Sequence, residues 1–214
     1  MKRVLFAAVA IAFLMALSGC GDNSHSSFVV TGAPFDAQIL TEAANDGDIE
    51  LDANNVLHIT QGNLDSVFAG IDPVTLSEFR AFLDFPLTGP DGVPGRAIIE
   101  SATLDIFINS YRSAAASIPI RIELVSFPPR TLLGSDFDRI VQPPLASVSA
   151  SIFPSDVNRH VVIDVTPLMV EAQFRNLLDF QVRMLQDLGP VIPGLVQIDD
   201  TTVDLAPLLE VTFR

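Results

Sequence analysis

The 214-residue chain has no tryptophan, one tyrosine, one cysteine and one lysine. A single cysteine excludes a disulfide framework and any thiolate metal cluster built within the chain. The lone lysine is Lys2. From Cys20 onward the chain therefore sets ten arginines against all 26 acidic residues, a formal side-chain charge of −16. Neutralising phosphates takes clustered Lys and Arg, so a nucleic-acid surface or a general phosphate-binding surface is excluded. Sugar sites draw on aromatic platforms that carry polar ends, and only Tyr111 could supply one. No Gly-x-Ser-x-Gly or His-Glu-x-x-His motif is present. His25, His58 and His160 are far apart, and the last two fall in apolar-rich strand patterns as ordinary strand residues. Nothing marks a nucleophile, and among 26 acids a pair of carboxylates carries no information about glycoside chemistry. These absences argue against an enzyme. The chain is nevertheless 49% apolar and only 18% charged. That is the composition of a folded domain, and one this long buries roughly 70% of its unfolded surface without staples.

The first twenty residues read as an address. Lys2 and Arg3 precede Val4–Leu17, fourteen apolar residues without a charge. A bilayer span needs about 20 residues of helix, so this run fits a signal h-region better than a transmembrane segment. It ends in Leu17-Ser18-Gly19-Cys20, which resembles the bacterial lipobox. The resemblance implies cleavage before Cys20, a diacylglycerol on its sulfur and anchorage in the membrane lipid of a bacterial envelope. Gly21, rather than Asp, follows the cysteine, which favours the outer over the inner membrane. Residues 1–19 are thus expected to be a signal peptide, Cys20–Ser27 a lipidated flexible tether, and 28–214 a single domain.

That domain reads as strands and turns. Period-2 alternation runs through Asp48–Asp52, Val56–Gln61, Glu78–Leu87, Ala97–Asn109 and Ile118–Phe127, with further strands at Ser147–Phe153, His160–Val165, Asp179–Leu185, Leu195–Ile198 and Leu208–Phe213. In Asp179–Leu185 either Phe180, Val182 and Met184 or Gln181, Arg183 and Leu185 face inward. Pro128–Pro144 is irregular. Thr166-Pro167 has the composition of a helix start, a hydroxyl N-cap with proline at N1, and predicts a helix to about Phe174. About nine or ten strands with one short helix predict an all-β antiparallel sandwich with a Phe-rich core.

In order along the chain stand Asp46-Gly47, Phe79-Arg80-Ala81-Phe82-Leu83-Asp84-Phe85, Glu100-Ser101-Ala102-Thr103-Leu104, Ile163-Asp164-Val165-Thr166, Phe180-Gln181-Val182-Arg183 and Pro207–Phe213. This series resembles the DNRLRE-type domains over about residues 44–214. The chain departs from that pattern in lacking a Trp-containing segment after the fifth strand and a Ser-Arg-Glu before the last. The resemblance implies a jelly-roll-like β-sandwich related to carbohydrate-binding modules. It also places Arg80 and Arg183 at structural strand positions, paired with carboxylates such as Asp84 or Asp179.

Two features bear on ligands. Asp46, Asp48, Glu50 and Asp52 alternate, and Asp199-Asp200 is a second acidic pair. Hard oxygens at this density can bind calcium, and the two clusters would meet if the first and last strands were neighbours. The favoured reading is a solvated edge that discourages aggregation, with no cofactor beyond the lipid. Tyr111-Arg112, expected in a loop after Asn109, is the best single patch for a ligand. Two functions follow: a structural or interaction role at the cell envelope, with an envelope protein as partner, and, as the alternative, a carbohydrate-binding module displayed there.

Overall fold

The computed structural model describes residues 33–187 and 189–214. The signal segment, Cys20, the tether and His25 lie outside the described residues. Twelve strands are present among those described: β1 (Phe35–Leu40), β2 (Gly47–Leu51), β3 (Leu57–Gln61), β4 (Ser66–Ile71), β5 (Glu78–Pro86), β6 (Ile99–Ser113), β7 (Ile118–Val125), β8 (Ala146–Ile152), β9 (Arg159–Asp164), β10 (Asp179–Gln186), β11 (Gly194–Asp199) and β12 (Leu208–Phe213). A four-residue helix α1 (Gly134–Phe137) interrupts the irregular stretch, and α2 (Thr166–Phe174) is the longer helix. All strand pairings are antiparallel, in the order β1-β12-β6-β11-β4-β5-β10-β7-β8, with β2–β3 attached to β5 and β9 to β6.

The sheet curls so that one face closes on itself, giving an all-β, sandwich-like fold. Ala102, Leu104, Ile106 and Ile108 of β6 pack in one core with Ala81, Leu83 and Phe85 of β5, Ile118, Ile120, Ile122 and Leu124 of β7 and Phe180, Val182 and Met184 of β10. The alternation that predicts β6 and β7 is the pattern of their buried faces. Leu168, Met169 and Ala172 of α2 close the same core. Burying one phenylalanine ring contributes roughly 1.5–3 kcal/mol, so Phe85 and Phe180, both fully buried, are major contributors.

The helix start differs from expectation. Thr166 lies inside α2 and Val165 precedes it as the N-cap, without a side-chain cap bond. The Thr166 hydroxyl instead bridges to β6, accepting from the Ala102 amide at 2.9 Å. A strand bond across 64 positions takes the place of a local cap.

The opposite face of β5 and β10 is also buried. Ile49, Phe82, Val125, Phe127, Leu132 and Phe137 form a second apolar cluster there, under the segment that carries α1. Both candidate faces of β10 are therefore inward. Backbone crowding fixes one glycine. Gly70 has φ +121°, and a Cβ there would lie 2.1 Å from the Gly194 carbonyl oxygen on β11.

Candidate functional site

Between β1 and β2 the chain makes a tight turn, with the Asn45 and Asp46 amides both donating to the Glu42 carbonyl. The turn carries Asp46 inward, to zero exposure. Its carboxylate accepts from the Thr41 hydroxyl and, at 2.8 Å, from the Asp84 amide of β5. The neighbouring Asn45 amide group donates to the Asp84 carboxylate. Asp200 arrives from the far end of the chain, in the loop after β11, where its amide donates to the Asp65 carbonyl at 3.2 Å. Asp48 accepts from the Phe68 amide at 3.1 Å, and Asp199 from Asn109 at 2.7 Å and the Thr201 amide at 2.9 Å.

Asp46, Asp48, Asp84, Asp199 and Asp200 are each 5% exposed or less. None pairs with an arginine or histidine among the described residues. The solvated acidic edge expected from sequence is thus overturned for Asp46, Asp48, Asp199 and Asp200. The cause is non-local: the Asp84 amide of β5 and the Phe68 amide of β4 hold Asp46 and Asp48 among other strands, where alternation alone leaves them facing water. Burial, and then the charge of Asp200, push the Asp46 carboxyl up to about 9. Burial and the neighbouring Asp199 push Asp200 up to about 7. Asp48 rises to about 6, chiefly through burial, with Glu50 adding to it. Burial also raises Asp84, against hydrogen bonds from Asn45 and Gln181. Burial alone would raise Asp199 too, but its bonds from Thr201 and Asn109 hold it below the usual range. The structure therefore brings Asp46 and Asp200 into electrostatic contact, joins Asp84 to them, and leaves Asp48 and Asp199 in their own hydrogen-bond sets. No three acidic, histidine or cysteine side chains among the described residues are grouped to hold a metal ion.

A second polar centre lies on the covered face. Arg183 and Glu123 are both fully buried, and the guanidinium donates to Glu123 Oε2 at 3.0 and 2.7 Å. It also donates to the Asp136 carbonyl at 2.6 Å and the Gln142 carbonyl at 3.1 Å. Arg139 donates to the other Glu123 oxygen at 2.7 Å. Arg80 pairs with Glu78 at 2.7 Å, donates to the Phe137 carbonyl and stacks 3.8 Å from the Phe137 ring centroid. Arg80 and Arg183 are structural as expected, but their partners are Glu78 and Glu123, not Asp84 or Asp179. Asp84 is turned toward Asn45 and Asp46, and the partner of Arg183 stands directly opposite it on β7, in register with Glu123.

Tyr111 and Arg112 belong to β6, not to a loop. The Tyr111 hydroxyl donates to the Ala115 carbonyl at 2.7 Å, and Arg112 pairs with Asp72 at 3.3 Å. His58 and His160 are strand residues, each 3.1 Å from a carboxylate, Asp52 and Asp105 respectively. A shallow groove of about 640 Å³ runs beside β1, lined by Phe35, Asp36, Gln38, Asp91 and Phe213. Phe35 is 63% exposed and stacks on Phe213 with ring centroids 6.0 Å apart. The sequence reading missed this platform because it missed β1, a six-residue strand in which Phe35, Ala37 and Ile39 alternate with Asp36 and Gln38. Among the described residues no helix is long and apolar enough to cross a membrane. Compared with known proteins, the chain matches no family model and no curated sequence.

Proposed function

We propose that this chain is a bacterial lipoprotein, anchored through Cys20 in the cell envelope, whose β-sandwich domain has a structural or interaction role there. The observation that carries the reading is in the sequence: Lys2-Arg3, the uncharged Val4–Leu17 run and Leu17-Ser18-Gly19-Cys20 follow one another in the order lipidation requires. Each buried lipid CH₂ contributes about 0.8 kcal/mol, so several acyl chains hold the protein at the membrane without a protein span. Gly21 after the cysteine favours the outer membrane. The test is Cys20→Ser expressed in a bacterial host. The variant leaves the membrane fraction for the soluble one, and a variant that still pellets after carbonate washing refutes the anchor.

The groove beside β1 favours one second reading, a carbohydrate-binding module of the DNRLRE type. Phe35 on Phe213 offers a stacking face, with Asp36, Gln38 and Asp91 as polar neighbours. Retention on an array of neutral polysaccharides, lost in Phe35→Ala, decides for that reading over the first.

A further inference from the structure

We propose that the end of the sandwich at which β1 begins rests on a zwitterionic lipid surface, with Phe35, Ile98, Phe174 and Leu178 in contact with it. The inference rests on the anchor reading above, in which a lipid on Cys20 holds the chain at a membrane. The first observation is where the strands start. β1 and β6 are both antiparallel to β12, and four antiparallel steps lead from β6 to β10, so β1, β6 and β10 run in one direction and begin at one end. Phe35 and Leu178 stand two positions before Ala37 and Phe180, the first buried residues of the core-facing rows of β1 and β10. The apolar rows thus continue past the point where the core stops. Ile98 is tied to Arg214, next to Phe213: its amide donates to the Arg214 carbonyl at 2.7 Å, and its carbonyl accepts from the Arg214 amide at 3.0 Å. Phe174 ends α2. All four are more than half exposed.

One segment, residues 87–98 between β5 and β6, joins the four. The Leu87 amide donates to the Leu178 carbonyl at 2.9 Å, the Gln173 side chain donates to the Pro94 carbonyl at 3.0 Å, and Pro90 and Gly92 line the groove with Phe35. Single apolar residues scattered over a surface are ordinary, whereas a contiguous set marks a contact with protein or lipid. The second observation selects lipid. The described chain starts at this end, with Phe35 the first residue of β1. Thirteen residue steps separate Cys20 from Ala33, so the lipid-bearing sulfur lies within about 45 Å of the domain by any path. The opposite end, where β6 finishes at Ser113, is a 15-residue strand away, about 50 Å. Lipid is therefore within easy reach of the four residues and meets the other end only at full extension of the chain. Asp36 and Asp91 stand beside Phe35, and an anionic leaflet would repel them, so zwitterionic headgroups fit. Attachment at such an interface grows with the apolar area it covers.

The chain has no tryptophan, so Phe174→Trp places a single fluorophore at this end. Val74→Trp places one at the other end, in the exposed connection between β4 and β5. Each full chain, purified from bacterial membranes with its anchor, is reconstituted into phosphatidylcholine vesicles. The Phe174→Trp emission shifts to the blue and is lost when the acyl chains are brominated. The Val74→Trp emission stays red and is lost to iodide in the water. Ile98→Trp gives the same result as Phe174→Trp and stands in for it if that variant fails to fold. Equal quenching of the two ends by brominated lipid, or equal quenching by iodide, overturns the proposal. So does a Phe174→Trp blue shift that follows protein concentration in detergent, which assigns this end to a second copy of the chain. The anchor is read separately. If Cys20→Ser leaves the membrane while Phe174→Trp stays open to iodide, the anchor stands and this contact falls. A Cys20→Ser chain that still pellets removes the anchor and this proposal with it.

Discussion

Replacing Arg183 with methionine tests how the covered face of the sheet is held. The side chain is fully buried, and three partners depend on it: the Glu123 carboxylate and the Asp136 and Gln142 carbonyls. Methionine keeps much of the volume but donates nothing. Glu123 retains Arg139, whose side chain is 26% exposed, so its charge is only partly balanced. Breaking a buried pair by removing one partner costs about 3–5 kcal/mol, and each carbonyl left without a donor adds to the upper end of that range. Against a total stability of about 5–15 kcal/mol this is a large loss. It corresponds to a melting shift of roughly 6–20 °C for a domain of this size. Urea unfolding followed by circular dichroism measures it. The double variant Glu123→Met, Arg183→Met removes the stranded charge and is expected to be more stable than Arg183→Met alone, because a buried ion pair gains little over well-packed apolar groups. A loss under about 1 kcal/mol in the single variant, or a double variant worse than the sum of the singles, refutes the reasoning.

Two further outcomes are expected. Stability falls as the pH rises from about 4 to 9, since Asp46, Asp48 and Asp200 bind protons more tightly in the folded state, and Asp200→Asn flattens the part of the fall between about pH 4 and 7. Melts at three pH values check the sign, and a melting temperature that climbs from pH 5 to 8 contradicts it. Gly70→Ala forces a methyl group onto the Gly194 carbonyl at a positive φ and is expected to cost about 1–3 kcal/mol in the same unfolding assay, with no loss marking the β4–β11 contact as looser than described.

The parts of this fold that alternate cleanly were legible before any coordinates. β6 and β7 each bury one face, so their apolar residues fall on every second position and the strands read directly from Ala102–Ile108 and Ile118–Leu124. β4 escaped because Ser66–Ile71 is short and carries Gly70. β5 and β10 hid half their burial, because a core that accepts Arg80, Asp84 and Arg183 does not look like a core in a hydrophobicity pattern. The same blindness governed the acidic cluster. The burial of Asp46 goes with its contact to Asp84, 38 residues later, whose amide donates to it. Sequence spacing showed that the two acidic segments could meet if the chain ends were neighbours. It did not show that their meeting place would be buried.

The only strand partner of β1 among those described is β12, with Phe35 opposite Phe213. A chain made from its N-terminus exposes β1 long before β12 exists. At about 5–20 residues per second, the intervening 167 residues separate the two by roughly ten to thirty seconds. Throughout that interval the first strand has no complement, and the turn carrying Asp46 waits equally for Asp200. The β1–β12 edge cannot pair before β12 is released, so this closure trails the synthesis of β1 by that whole interval.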